Sequence, residues 1–210
     1  MIVAFDTETT GISPELDELL QITIVDEKEN ILLESYIKPP TRTSWINAQK
    51  VNKIDPEDVK NAPSALELAS KIKEIFDKAD AIVGYNVGFD VAFVEKDCKI
   101  HIDKTKVIDC LKLFREECKK KKISLDHHKL GDAVDFYCPS AKADYLSNAH
   151  DASCDSIATM RVYLNQIEDK ERYYKKPEMS LKSSAFLDNF FYEKMKERSV
   201  ETTSYEDIEY

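Results

Sequence analysis

Two carboxylates, Asp6 and Glu8, lie two positions apart at the end of an apolar run at residues 2–5. Successive side chains of a β-strand point to opposite faces, so residues i and i+2 share a face. We therefore expect the two carboxylates side by side, where a core strand meets solvent. Adjacent carboxylates repel each other unless a positive charge lies between them, and oxygen ligands suit Mg²⁺ or Mn²⁺. The spacing fits a metal site, and it also fits an exposed acidic strand end before the turn at 9–11.

A third carboxylate, Asp90, falls in the first turn of a predicted helix that follows the strand ending near Gly84. Ligands of open α/β sheets gather at the carboxyl ends of strands. Asp90 therefore fits the same site as Asp6. A simpler interpretation also fits, in which Asp90 only complements the positive end of the helix dipole.

The pair His150 and Asp155 stands at the start of the last predicted core helix, residues 151–168. Five residues along a helix correspond to a rotation of about 140°. The two side chains can therefore converge only if His150 lies on the loop that leads into the helix. A histidine is a natural general base at neutral pH. Taken alone, the pair also fits a simpler interpretation, in which His150 is a surface residue and Asp155 is a charge on a helix face.

The remaining pattern predicts the elements that position these residues. Apolar runs predict strands at 2–8, 20–25, 31–37, 80–85 and 107–109, with a hairpin turn at 27–30. Helical spacing predicts helices near 48–52, from Pro56, from Ser64, from Phe89, over 111–119, and between a cap at 124–126 and Gly131. Three leading strands, followed by strands that alternate with helices, predict an α/β fold with a central mixed five-stranded sheet flanked by helices.

The composition indicates a globular protein with one ordinary domain and an appendage. The chain has 210 residues, of which 42% are hydrophobic and 33% are charged. No apolar run approaches the ~18 residues that a membrane span needs, and the N-terminus lacks the pattern of a signal peptide. We therefore expect a cytoplasmic chain with no membrane partner. The five cysteines are odd in number and lack CxxC spacing, which favours reduced structural thiols over disulfides or zinc.

The net charge of −10 argues against a large nonspecific surface for nucleic acid, because neutralising phosphates requires clustered Lys and Arg. It does not exclude a nuclease, since metal ions supply positive charge locally. The dense lysine run at 119–122 is interpreted as a solvated helix end. Residues 169–210 form a separate C-terminal extension, rich in charge, Tyr and Phe, with a predicted helix at 181–198 and a flexible acidic tail.

Taken in order, three motifs resemble the DnaQ-like 3′→5′ exonucleases of the DEDDh branch, which includes the proofreading subunit of bacterial replicative polymerases. The motifs are the segments 5–11 and 86–90, and His150 with Asp155 five residues later. The resemblance covers residues 1–168, which it identifies as an exonuclease domain. It implies a ribonuclease H-like fold and hydrolysis of phosphodiester bonds at the 3′ end of single-stranded DNA, with release of nucleoside 5′-monophosphates.

The resemblance also implies a role for each site residue. Two divalent ions, Mg²⁺ or Mn²⁺, would be held by the four carboxylates of Asp6, Glu8, Asp90 and Asp155. His150 would act as the general base. The 3′-terminal nucleotide would contact Thr9, Thr10, Gly11, Asn86 and Phe89. A polymerase or another protein partner would dock through residues 169–210, unless the Phe-rich stretch there packs on the chain's own core.

One departure from the family pattern occurs before Ile54, where many relatives carry His-Gly and this chain carries Asn52-Lys53. That His approaches the bound strand in the family, so we expect substrate contact at this place to differ. Two alternatives remain open. One is an exonuclease that acts on RNA or short oligonucleotides, and the other is a non-catalytic nucleic-acid-binding or scaffold module on the same fold. All four carboxylates and the histidine are present, which favours an enzyme.

Overall fold

One mixed sheet forms the centre of the protein in the computed structural model, which describes residues 1–142, 145, 146 and 150–174, with side chains as far as residue 168. Its strands are β1 (Ile2–Thr9), β2 (Leu19–Asp26), β3 (Ile31–Tyr36), β4 (Ala81–Gly84) and β5 (Val107–Asp109). Their order is β3-β2-β1-β4-β5. The first three strands are antiparallel, and β4 and β5 continue the sheet in parallel with β1. The predicted mixed five-stranded sheet is confirmed.

Helices cover both faces of this sheet. The helices that the structure describes from end to end are α1 (Ile46–Asn52), α2 (Ala65–Lys78), α3 (Gly88–Cys98), α4 (Cys110–Lys121), α5 (Leu130–Tyr137) and α6 (Ala152–Tyr174). Strand β1 shows the layering, because its side chains alternate between two cores. Ala4 packs with Phe114 and Met160 on the side of α4, α5 and α6. Phe5 packs with Phe93 on the side of α2 and α3.

The starts of two helices follow from local chemistry. Ser64 and Glu67 form a capping box at the start of α2, which satisfies amide groups that the helix itself leaves without partners. At the start of α6, the carboxylate of Asp151 accepts hydrogen bonds from the amides of Ser153 (2.9 Å) and Cys154 (3.2 Å). The second cap determines where the helix that carries Asp155 begins.

A buried ion pair ties α6 to the β2–β3 hairpin. The guanidinium group of Arg161 donates to both carboxylate oxygens of Glu29, at 2.7 and 2.9 Å. The two side chains are only 5% and 3% exposed. A two-point pair of this kind constrains both distance and orientation, so the hairpin holds α6 in register with the sheet one and a half turns beyond Asp155.

Two predicted helices are wrong. The segment after Pro56 forms successive turns, with hydrogen bonds such as Asp58 N–H to the Asp55 carbonyl (3.0 Å), because the next proline at 63 leaves too few residues for a helix. The predicted helix that ends near Gly131 instead runs over Leu130–Tyr137. The carboxylate of Asp132 accepts the amide of Lys129 at 2.8 Å and sets this later start.

The remaining expectations concern the cysteines, the domain boundary, the C-terminal extension and the absence of membrane spans. All five cysteines are free and buried, as predicted. Helix α6 continues to Tyr174, past the predicted domain boundary at 168. The helix predicted at 181–198 and the acidic tail lie outside the described residues. Within the described residues, no helix combines the length and apolar character that crossing a membrane requires.

Candidate active site

Strand β1 carries Asp6 and Glu8 to one face of the sheet, as the i, i+2 spacing predicts. Helix α6 crosses that same face and brings Asp155 to them. One carboxylate oxygen from each of the three residues lies within 4.8 Å of the others. Three anionic oxygens at this separation repel one another, and they match the donor set that Mg²⁺ and Mn²⁺ prefer.

Asp155 is oriented by two residues that precede α6 in the chain, Tyr145 and His150. The backbone N–H of His150 and the hydroxyl of Tyr145 both donate hydrogen bonds to its carboxylate. Its Oδ1 atom is buried, and it has no hydrogen-bond partner among the residues that the structure describes. A buried anionic oxygen without a donor is costly. A divalent cation among the three carboxylates would satisfy it, so the residues present fit a metal.

Asp90 reaches the site from the opposite layer. It lies in the first turn of α3 and is 4% exposed. Its Oδ1 atom accepts hydrogen bonds from the amide (3.1 Å) and the hydroxyl (2.7 Å) of Thr7, the β1 residue between Asp6 and Glu8. Asp90 is not one of the three clustered carboxylates. Its charge nevertheless raises the pKa of both Asp6 and Glu8, which places it beside the cluster.

All four carboxyl groups have raised pKa values. Burial is the main cause in each case, and repulsion between the negative charges adds to it. The pKa of Glu8 rises to about 9, those of Asp90 and Asp155 rise to about 7, and that of Asp6 lies well above its usual range. Without a counter-ion, the cluster therefore resists full ionisation at neutral pH.

The metal-free protein should lose stability as the pH rises. Unfolded carboxyl groups ionise near pH ~4, whereas Asp90 and Asp155 ionise near 7 and Glu8 near 9 when folded. The folded state holds these protons longer, so the free energy of unfolding falls from about pH 4 through 7 and towards 9. Urea denaturation in EDTA at pH 5 and pH 8 measures this difference.

Added Mn²⁺ should restore stability at pH 8 by about 2–3 kcal/mol at a hundredfold excess over its Kd, and by less at pH 5, where protons compete with the ion. The variant Asp6→Asn is the matched control, because it removes one charge from the cluster. It should show a shallower pH dependence without metal. A wild-type protein whose unfolding ignores Mn²⁺ at pH 8 would contradict a metal site.

His150 lies on the loop before α6, where the prediction required it to be. Its backbone has φ of 68°, the left-handed region that a histidine seldom adopts. This conformation lets its amide contact Asp155 while the side chain remains at the surface. Partial burial and the positive charges of Lys129 and Lys53 lower the pKa of the imidazole. The ring is therefore neutral at physiological pH, which is the state that a general base needs.

Residues 9–11, which are predicted to contact the nucleotide, form a turn that their own side chains stabilise. The hydroxyl of Thr9 donates to the carbonyl of Gly11 at 2.6 Å. The hydroxyl of Thr10 accepts the amide of Glu18 at 2.9 Å and donates to Asp17 at 3.4 Å. A methyl group on Gly11 would overlap the carboxylate of Asp17. These side chains hold the backbone of the turn beside Glu8, and Gly11 leaves room for the loop to fold back.

Asn86 and Phe89, two of the predicted nucleotide contacts, lie on the segment that runs from the end of β4 into the first turn of α3, just before Asp90. Asn86 is exposed and has a φ of 62°. Its backbone N–H donates to the carboxylate of Asp109 at 3.0 Å, which fixes the loop before α3. Phe89 is half-buried and packs on Phe93, with ring centroids 4.8 Å apart. Part of the Phe89 ring therefore belongs to the core, and only the remaining part is accessible from solvent.

Two residues that support the carboxylates were not predicted as site residues. Asn52 is buried, donates to the carbonyl of Thr9 at 3.2 Å, and hydrogen-bonds to Glu8, where it opposes the rise in pKa that burial causes. The departure from the family pattern at Asn52-Lys53 was the sequence feature that could have indicated Asn52 as a site residue. Tyr145 hydrogen-bonds to Asp155, and no sequence pattern indicated it, because the two residues are ten positions apart and meet only in the folded protein.

The variant Tyr145→Phe tests this support. It removes one donor to Asp155 and keeps the ring in place, so the Asp155 carboxylate should bind a cation less well. We expect the Mn²⁺ concentration that gives half-maximal stabilisation to rise about tenfold, as for other groups that orient metal ligands. Calorimetric titration measures it. Tyr137→Phe, at the half-buried C-terminal end of α5, is a hydroxyl-removal control that should leave Mn²⁺ affinity unchanged.

The fold and the carboxylate cluster together define a nuclease of the ribonuclease H-like class. A family model described as an exonuclease, RNase_T, matches residues 3–163. The chain belongs to this exonuclease family, and the resemblance to DnaQ-like exonucleases is confirmed.

Individual relatives agree with the family. Over 172 residues the chain is 31% identical to the PolC-type DNA polymerase III of Caldanaerobacter subterraneus subsp. tengcongensis, covering 79% of this chain and 11% of that protein. It is 29% identical over 174 residues to the 3′-5′ exonuclease DinG of Staphylococcus aureus, covering 80% of this chain and 18% of that protein. The chain therefore spans less than a fifth of either relative.

A solved structure supports the fold. The zinc-bound complex of Escherichia coli exonuclease I with single-stranded DNA superposes with a TM-score of 0.64 at 21% identity. The match covers 82% of this chain and 41% of that one. The ribonuclease H-like architecture predicted from the sequence is confirmed.

Proposed function

We propose that this chain removes nucleotides from the 3′ end of single-stranded DNA by hydrolysis and releases nucleoside 5′-monophosphates. The observation that carries the proposal is the cluster of Asp6, Glu8 and Asp155 in a member of an exonuclease family. Clustered and partly buried carboxylates favour a metal-assisted reaction over one that uses a side-chain nucleophile, because they attract cations and repel an unscreened phosphate.

The four carboxylates have distinct places in this proposal. Asp6, Glu8 and Asp155 would hold divalent ions, and Asp90, fixed by Thr7, would complete the site. When bound, such ions supply positive charge that stabilises the developing charge on the phosphate oxygens. The hydrogen bonds to Asp155, Asp90 and Glu8 orient the carboxylates before substrate arrives, which reduces the cost of assembling the site.

His150 provides the proton transfer. Water attacks the last internucleotide phosphorus, the bond from phosphorus to the 3′ oxygen breaks, and the imidazole takes the proton that the water loses. The 3′ oxygen of the shortened strand takes a proton from solvent and becomes a hydroxyl group, and the departing nucleotide carries a 5′-phosphate. A neutral His150 can accept this proton, and the lowered pKa keeps it neutral at pH 7.

The 3′-terminal nucleotide would sit between the turn at 9–11 and Phe89. Backbone groups of the turn face the end of β1, and the accessible part of Phe89 offers an aromatic surface. Stacking on an aromatic ring tolerates any base. This arrangement suits an exonuclease without sequence preference, and the single-stranded DNA bound by exonuclease I supports the choice of substrate.

Residues 1–168 would form the catalytic domain, and residues 169–210 would provide a surface for a protein partner. The relation to a PolC-type polymerase supports a partner connected with DNA synthesis. Capture of a purified PolC-type polymerase by the full chain, but not by a chain that ends at residue 174, would support this assignment. Equal capture by both chains would contradict it.

The test of the function is a degradation assay on a 5′-labelled single strand. With Mg²⁺ or Mn²⁺ we expect a ladder that shortens progressively from the 3′ end, together with nucleoside 5′-monophosphates. EDTA should stop both. An RNA strand of the same sequence, run in parallel, decides between DNA and RNA as the preferred substrate. A purified protein that binds the strand but leaves both intact with metal would support a non-catalytic module instead.

A further inference from the structure

Lys53 lies at the edge of the carboxylate site because its neighbour is part of that site. It directly follows Asn52, whose amide contacts Glu8 and the carbonyl of Thr9. Lys53 ends α1 with φ of 59°, a left-handed conformation that glycine would adopt more easily. Its ammonium group is exposed and donates to the carbonyl of Lys50 at 2.7 Å. The chain therefore carries a cation at a position whose backbone conformation favours glycine.

Lys129 is connected to the same site through Tyr85 and Tyr145. The hydroxyl of Tyr85, just after β4, donates to the carbonyls of His128 (2.8 Å) and Lys129 (3.0 Å) and fixes this segment against the sheet. Two residues later, Gly131 faces Tyr145, whose ring lies 3.4 Å from where a Cβ of residue 131 would be. Tyr145 in turn contacts Asp155. Lys129 is exposed and precedes α5.

The two lysines adjoin residues that hold the carboxylates. Lys53 directly follows Asn52, which contacts Glu8 and Thr9. Lys129 lies two residues before Gly131, which faces Tyr145, the donor to Asp155. The positive charges of both lysines also lower the pKa of His150. Within the part of the chain that the structure describes, neither forms an ion pair with a carboxylate. Two such cations beside an acidic site, in a chain of net charge −10, remain available for an anionic ligand.

We propose that Lys53 and Lys129 bind backbone phosphates of the substrate strand, on the 5′ side of the bond that is cut. The inference rests on the proposed function and extends it to the strand outside the site. With the 3′ end held at the carboxylates, the next phosphates lie just outside the site, and the two exposed lysines adjoin residues that hold those carboxylates. Contacts to phosphates carry no sequence information, so the two lysines contribute affinity for any strand.

The test is the salt dependence of binding. A 5′-fluorescent oligothymidylate of about 12 nucleotides is titrated with full-length protein that carries Asp6→Asn, which prevents cleavage. The titration is repeated at salt concentrations from about 25 to about 200 mM, a range in which phosphate contacts dominate binding. Each of Lys53→Gln and Lys129→Gln should weaken binding severalfold. Each should also reduce the slope of log Kd against log salt by about 0.7, the value for one phosphate contact on a single strand.

Two controls separate charge from structure. Lys71→Gln, on the exposed face of α2, should leave both the slope and the affinity unchanged. Lys53→Arg and Lys129→Arg keep the charge and should keep the slope, which a merely structural role of the lysine would not predict. Unchanged slopes in both Gln variants would overturn the inference. If the wild-type chain degrades the strand while those slopes stay unchanged, only the inference fails, whereas a wild-type chain that degrades nothing contradicts the proposed function itself.

Discussion

Replacing Asp6 with Asn should reduce the turnover of a single strand at least about a thousandfold in Mg²⁺ or Mn²⁺. Asp6 is the carboxylate on which the other three act, since Asp90, Asp155 and Glu8 all raise its pKa. Losing several kcal/mol of charge stabilisation in the transition state corresponds to this factor at ~1.4 kcal/mol per tenfold. The rate of mononucleotide release, followed by chromatography, measures the loss.

Folding must be separated from chemistry in this variant. Asn has nearly the same shape as Asp, and it removes one charge from a buried cluster of like charges, so metal-free Asp6→Asn should unfold at a higher temperature than the wild type. Asp77→Asn is the control, because Asp77 lies on the exposed side of α2, in an ion pair with Lys73, and it should keep full activity. Wild-type turnover in Asp6→Asn would rule out the proposed site.

Replacing His150 with Asn should lower kcat by about a hundredfold or more, within the range for loss of a general base. Asn is the appropriate replacement because it tolerates the left-handed backbone that His150 adopts at φ of 68°. The amide that donates to Asp155 is thereby kept, and only the imidazole is lost. Single-turnover kinetics with saturating strand and Mn²⁺ measures the effect on the chemical step.

The same variant distinguishes whether the imidazole of His150 acts as a general base or as a metal ligand. His150 approaches Asp155 through its backbone, and its ring is not among the clustered ligand atoms. Half-maximal Mn²⁺ should therefore change less than twofold in His150→Asn, while kcat falls. A parallel loss of metal affinity and kcat would instead make the imidazole a ligand. His127→Asn, an exposed histidine on the segment before α5, is the control and should change neither quantity.

Short-range patterns carried most of what could be predicted. The alternation of β1 placed Asp6 and Glu8 on one face, and the five-residue spacing of His150 and Asp155 required a loop position that the structure shows. These features depend on dihedral periodicity, which the order of residues determines directly. The two wrong helices, after Pro56 and before Gly131, fall where competing turns and caps within a few residues decide the outcome.

The sequence by itself determined the set of ionisable groups, the strand that carries two of them, and the exonuclease family. The tertiary structure alone decided how those groups are held. Thr7 fixes Asp90 across the sheet, Tyr145 and the His150 amide fix Asp155, and Asn52 fixes Glu8 from α1. Each is a contact between segments far apart in the chain or across a folded loop, and its geometry depends on packing between layers. For the same reason, Lys53 and Lys129 are far apart in the sequence, and the fold brings each of them next to residues that hold the carboxylates.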